Sequence, residues 1–231
     1  MTTQPPLPPG HRTALMPLPN GACRTSGEFP AVFRSDKSVS AAYRQGMDVS
    51  PPLRLCLAYR EPWHWPQFHA HFALRRLPGV ERLEAYSYSR SFRLGTRHGW
   101  FRVRSLEHRA ALELSLPPGC ADLTDQLASR VRRMFDLDSD PEGIAAHLGR
   151  DPLLAPLLER VPGLRLPVAF DPFEQAVRAI VGQQVSVKAA VTISDRLVRR
   201  LGEPLADSPD GEPMWLFPTP AALAEAPLEN I

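Results

Sequence analysis

The stretch Val168–Leu205, "VAFDPFEQAVRAIVGQQVSVKAAVTISDRLVRRLGEPL", reads as two helices joined by a short polar turn. Asp171 is a good N-cap, Pro172 occupies the first helical position, and Glu174 three residues after the cap completes the pattern of a capping box. Phe173, Val177, Ile180 and Val181 then form an apolar stripe. Gly182 is expected to end the helix by taking a positive φ. Ser186 can cap the second helix, whose buried face is expected along Val187, Val191, Ser194, Leu197, Val198 and Leu201, with Gly202 as its stop. Between them lies "GQQVS". Gln183 and Gln184 are not economical turn residues, a role that falls to Gly, Asn, Asp and Pro. A bulky polar pair at a tight helix–helix corner is well placed to project outward. Asp171 and Glu174 could be mistaken for a catalytic carboxylate pair, but capping accounts for both without a substrate.

The pattern changes upstream. From Leu53 to Leu116 short segments rich in β-formers alternate: "LRLCLAY", "RLEAYSYSRSFRLG", "GWFRVRSL" and "AALELSL", separated by turn signals. "WHWPQFHAHFALRRL" is expected to be helical after Pro66. An antiparallel sheet with a packed helix follows. From Asp122 the helical period takes over, with Leu123, Leu127, Val131 and Met134 in one stripe, and "DSDPEGIAAHLG" and "DPLLAPLLERVPG" read as short helices. The expected class is α+β: a sheet domain over residues 50–118, then a helical domain over residues 119–231. Residues 1–49, rich in Pro, Gly, Ser and Thr without clear period, read as a disordered leader, and Met47 as an alternative start.

Charge is uneven. Residues 51–120 carry eleven Arg against five Glu and five of the seven His, whereas residues 171–231 carry five basic and nine acidic side chains. A basic block can attract nucleic acid, but on charge alone a solvated sheet face is the better explanation. No apolar run approaches the roughly 20 residues of a membrane helix, and no signal-peptide pattern is present. Cys23, Cys56 and Cys120 lie far apart without a CxxC, so neither a zinc site nor a disulfide framework is expected, and a cytoplasmic setting fits. No GxGxxG or phosphate loop points to a cofactor.

Taken in order, "GLRLPVAFDPFEQAVRAIVGQQVSVKAAVTISDRLVRRLGEPL" and "WLFPTPAALAEAP", with "WHWPQFHAHFALRRLPGVERLEAYSYSRSFRLGTRHGWFRV" and "MFDLDSDPEGI" upstream, resemble the DNA-3-methyladenine glycosylase II family. These are alkylation-repair glycosylases of the helix-hairpin-helix superfamily. The resemblance implies hydrolysis of the N-glycosidic bond of alkylated bases such as 3-methyladenine, flipped out of duplex DNA. It implies no cofactor, alkylated double-stranded DNA as partner, monomeric action, and association with the nucleoid. It places Gln184 as the wedge that fills the space left by the flipped base, flanked by Gln183, Val185 and Ser186 as DNA-contacting residues.

The superfamily's hPGhG hairpin and its following catalytic Asp find no match. "LPGVE" (77–81) and "VPGLR" (161–165) carry Pro-Gly but lack the second Gly, and both precede the turn. Asp195, Asp207 and Asp210 do not fit the motif. The resemblance therefore implies an incomplete helix-hairpin-helix domain whose catalytic Asp lies beyond Ile231, with apolar stripes over 173–201 left exposed. The alternative is a non-catalytic DNA-binding remnant. The iron–sulfur cluster of some superfamily members would need four Cys, against three here.

Overall fold

The structure, a computed structural model, describes residues 51–106 and 108–227; the expected leader and Met47 lie outside them. Five antiparallel strands, β1 (Leu53–Ala58), β2 (Glu81–Glu84), β3 (Ser87–Leu94), β4 (Arg97–Leu106) and β5 (Ala111–Leu116), form one sheet in the order β1-β5-β4-β3-β2. The strict period of two decides the faces. Leu55, Leu114, Val103 and Tyr88 stand opposite one another across four strands, and all are buried. A two-residue turn with Gly95 at φ +60° closes the β3–β4 hairpin.

Helix α1 (Trp65–Arg75) covers that apolar face with Trp65, Phe68 and Phe72, and stops ahead of Pro78. A 3₁₀ turn (Pro118–Leu123) leads into α2 (Thr124–Met134), which presses Leu127, Ala128, Val131 and Met134 onto the same face. Trp63, Phe68, Phe72 and Tyr88 ring Phe135, and the Trp63 indole donates to the Phe135 carbonyl at 3.0 Å. Burial of such side chains contributes about 1.5–3 kcal/mol each. This core runs on to Leu137 and Phe170. Residues on both sides of position 118 share it, so α2 acts as the sheet's own cover.

Arg165 locks the loops around this core. It is the largest fully buried side chain, at 1% exposure. It donates to the carbonyls of Asp136, Ser139, Arg60 and Pro62, gathering three segments distant in sequence. Burial lowers its pKa, while Asp136 and Asp140 act in the opposite sense.

Helix α3 (Pro141–Leu148) forms at its expected Asp-Pro start, whereas Asp151-Pro152 opens a turn and α4 (Ala155–Arg160) begins only after it. They bury almost nothing: Leu153 is 80% exposed, and Ile144, Leu157 and Leu164 are exposed beside it. Helices α5 (Pro172–Val181) and α6 (Val187–Leu201) follow, then a two-stranded hairpin, β6 (Glu203–Leu205) with β7 (Met214–Leu216), and finally α7 (Pro220–Glu225).

The hairpin departs from the expectation of an all-helical second half. It lies on the outer sheet face: Leu205, Met214 and Leu216 bury Trp100, while Trp215 packs beside Leu77, Val80 and Val198. The backbone of Trp215 donates to Gly79 O at 2.8 Å, and Ser91 Oγ donates to Trp215 O at 2.5 Å. The hairpin also resolves the charge asymmetry. Asp210 pairs with Arg82 and Arg102, and Glu203 pairs with Arg93. Three of the eleven arginines of the basic block are thus paired by the hairpin.

Candidate nucleic-acid interface

Helix α5 begins as expected: Asp171 Oδ1 accepts from Glu174 N at 2.9 Å. The other half of the capping box differs. Glu174 turns its carboxylate inward, where it accepts from Arg90 on β3 and, at 3.0 Å, from Arg178 one turn along α5. It is 4% exposed and is the buried residue of an otherwise half-buried or exposed helix. The physical reason lies in the sheet: Arg90 occupies an inward register between Tyr88 and Phe92, is itself 4% exposed, and needs a counter-charge.

Glu81, opposite Arg90 on β2, completes the cluster. Its carboxylate lies 3.8 Å from Arg90 and 3.3 Å from Arg178, and accepts from Tyr88 Oη at 2.5 Å and Leu77 N at 2.6 Å. Burial alone would raise the Glu81 pKa, but Arg90 and Arg178 together with the two hydrogen bonds bring it below the usual carboxylate range. For Arg90, burial opposes the charge and Glu174 leads the groups that outweigh it, raising its pKa. The phenol of Tyr88 is pushed well up by burial and by Glu81. His71 borders the same region, in a cavity of about 290 Å³ lined also by Arg75, Glu81, Arg90 and Glu174. Burial, then Arg75, lowers its pKa.

The turn follows from the end of α5. Gly182 does not reverse the chain; its φ is −77°. A Cβ there would stand 3.1 Å from Arg178 O, a tight approach within α5 itself, and 3.9 Å from Ala190 Cβ, an ordinary contact. The helix ends at Val181 with Gly182 as its C-cap, a turn bonds Gln183 N to Ile180 O at 3.1 Å, and the left-handed residue is Gln184 at φ +60°. That left-handed backbone is unfavourable for a side chain with a Cβ. The two glutamines therefore separate. Gln183 Nε2 donates back to Ala179 O at 3.1 Å, whereas the Gln184 side chain stands exposed and bonds none of the described residues. Ser186 Oγ caps α6 by accepting from Ala189 N at 3.2 Å. Val185, Val187 and Lys188 are exposed around it. Beneath the corner a groove of about 200 Å³ runs between Arg75, Gly182, Val185, Val187 and Ser194.

Residues that might have carried chemistry have structural partners. Asp210 is held by Arg82 and Arg102, Asp207 accepts from Trp100 Nε1 at 3.3 Å, and Asp195 pairs with Arg199 at 3.1 Å. Gly79 at φ +82° lies under Trp215, and Gly163 at φ +71° lies against Pro62, whose carbonyl a Cβ would meet at 2.3 Å. Among the described residues no group of three or more His, Cys, Asp or Glu could hold a metal ion, and no helix is long and apolar enough to cross a membrane.

This architecture is shared with DNA glycosylases of known structure. The 3-methyladenine DNA-glycosylase from Archaeoglobus fulgidus superposes with a TM-score of 0.64 at 21% identity, covering 77% of this chain and 59% of that one. In sequence, the AlkA N-terminal domain family matches residues 54–171, and the chain belongs to that family. DNA-3-methyladenine glycosylase 2 of Escherichia coli K12 is 34% identical over 170 residues, covering 74% of this chain and 57% of that protein. The probable bifunctional transcriptional activator/DNA repair enzyme AlkA of Mycobacterium tuberculosis is 36% identical over 188 residues, covering 80% of this chain and 37% of that protein. The chain thus spans between a third and three-fifths of the length of these relatives.

Proposed function

We propose that this chain is the sheet-and-wedge portion of a base-excision repair glycosylase that flips alkylated bases, such as 3-methyladenine, out of duplex DNA for hydrolytic removal. The observation that carries the reading is Gln184: a solvent-exposed side chain in a left-handed backbone at a corner between two amphipathic helices. Backbone strain of this kind points to a use beyond folding. Family membership supplies the kind of use.

Flipping a base costs a few kcal/mol of stacking and pairing, and the stack recloses unless the gap is filled. A rigid corner answers this need better than a free loop. Gln184 enters the gap from the minor groove, where its amide can hydrogen-bond the orphaned base that a purely apolar wedge would leave unsatisfied. Gln183, Val185 and Ser186 flank the gap, and Lys188 supplies positive charge to the nearby phosphates. The hydrolytic step requires a preorganised carboxylate that stabilises charge developing on the sugar. Asp195, Asp207 and Asp210 are engaged by Arg199, by the Trp100 indole, and by Arg82 with Arg102, and Asp171 caps α5, so none of these four is free for this duty. The division into a sheet unit (50–118) and a partial helix-hairpin-helix unit (119–231), acting as a monomer in the cytoplasm on nucleoid DNA, belongs to the same reading.

Binding to a duplex containing a tetrahydrofuran abasic analogue, compared with intact duplex over a salt series, tests it. A wedge gains most where the base is already missing, so the analogue should bind more tightly and Gln184→Ala should abolish the difference, leaving a shared salt-dependent term. Equal affinity of the parent chain for both duplexes would overturn the proposal.

A further inference from the structure

The wedge reading leaves one question open: what holds α5 at a fixed height above the sheet? Apolar packing does little of it. Val177 and Phe173 are half-buried, Ile180 is 72% exposed, and Phe173 meets Phe217 edge-on at 6.4 Å. Glu174 is the buried side chain of the helix, and it is charged. Four charged groups cross the gap between sheet and helix: Glu81 and Arg90 from β2 and β3, Glu174 and Arg178 from α5. Arg178 also donates to the carbonyl of Arg75 at the end of α1. It sits on the last turn of α5, four residues before Gly182, whose N–H bonds Arg178 O at 2.9 Å.

From this we infer that the Glu81–Arg90–Glu174–Arg178 network is the positioning device of the wedge, setting where Gln184 stands relative to the sheet. The inference rests on the wedge reading above. Two physical facts favour it over a role in stability alone. Hydrophobic contact is non-directional, so a helix with a largely unburied apolar face can slide or roll. Buried ion pairs contribute weakly to stability against apolar replacements of the same shape, but their hydrogen-bond geometry fixes one arrangement. Here both carboxylates are shared. Glu81 and Glu174 each meet Arg90 and Arg178, so the alternating square resists translation along α5 and rotation about it.

The test uses a duplex with 2-aminopurine beside a tetrahydrofuran site, whose fluorescence rises when the neighbouring stack is opened. The double variant Arg90→Met, Glu174→Met removes one charge of each sign and keeps side-chain volume. It should unfold cooperatively near the parent's midpoint and keep its salt-dependent affinity for intact duplex. Its fluorescence rise should fall to the level of Gln184→Ala. Should the double variant not fold, Arg178→Met, at the rim of the cluster, should show the same loss, with Arg178→Lys restoring part of the signal. A folded Met variant with the full rise would overturn the inference. A parent chain that produces no rise would instead sink the wedge reading itself, so the two failures are distinct.

Discussion

Gln184→Gly should make the protein more stable and less able to open DNA. The native backbone at position 184 has φ +60°. Holding an L-residue there costs about 1–2 kcal/mol, chiefly from crowding of Cβ against the following carbonyl. Glycine removes that cost but adds freedom to the unfolded chain, worth about 0.4–1 kcal/mol in the opposite direction. The balance runs from about 0 to about 1.6 kcal/mol in favour of glycine, centred near about 0.8 kcal/mol, or about 2–3 °C in melting temperature at that centre for a chain of this size. Gln184→Ala is the control. It removes the same polar group but keeps the Cβ and its strain, so it should melt at or slightly below the parent. The Gln184 amide faces solvent and bonds none of the described residues, so its loss does not compete with this effect. Scanning calorimetry of the three proteins in one buffer, followed by lesion-versus-intact DNA affinities, reads both halves. Gly should exceed Ala in melting temperature while the two lose lesion preference equally. A Gly variant that melts no higher than the Ala variant would refute the claim that this corner is strained, and with it the argument from strain to function.

Arg165→Met leaves the part-buried carbonyls of Asp136, Ser139, Arg60 and Pro62 without their donor, and should cost about 1–3 kcal/mol, read as a lower urea midpoint; an unchanged midpoint would show that water replaces the guanidinium at these carbonyls. For pH, two of the displaced groups near α5, His71 and Glu81, have lowered folded-state values. Their contribution is full above the unfolded values, so His71's share should fade below about pH 6.5 and Glu81's below about pH 4.3, each as pH passes through the folded value; a urea midpoint that rises on acidification from pH 8 would contradict this. Incubated with alkylated DNA, the 231-residue chain should release no 3-methyladenine, since none of its residues matches the family's Asp motif; robust release would place the catalytic group within these residues.

Much of the sheet was legible because a one-sided antiparallel sheet writes its register into the sequence. Leu55, Leu114, Val103 and Tyr88 alternate with polar neighbours, and the structure aligns them in one row. The caps at Asp171 and Ser186 were legible for a similar reason: each is a local side chain-to-backbone bond needing only its own helix. Features that depend on distant partners were not. Strands β6 and β7 are three residues long, too short to show a period, and one contains Pro204. Glu174 read as a cap residue because its real partner, Arg90, lies 84 positions away. One signal for it existed: an Arg at an inward position between Tyr88 and Phe92 demands a buried carboxylate. Gly182 ends the helix as its residue type suggested, but the positive φ expected of it falls two residues on, at Gln184, a residue type that gives no local signal for it. The extent of the sheet's core past residue 118 was hidden as well, because the stripe of Leu127, Val131 and Met134 shows that a helix has a buried face without saying what that face meets.

The most direct test of the account is a crystal structure of this chain bound to a duplex carrying a single tetrahydrofuran site. The account predicts the α5–α6 corner against the minor groove, with the Gln184 side chain between the base pairs flanking the site and Gln183 still folded back on Ala179. DNA seated instead on the outer face of the sheet, or against α3 and α4 with Gln184 in solvent, would contradict it.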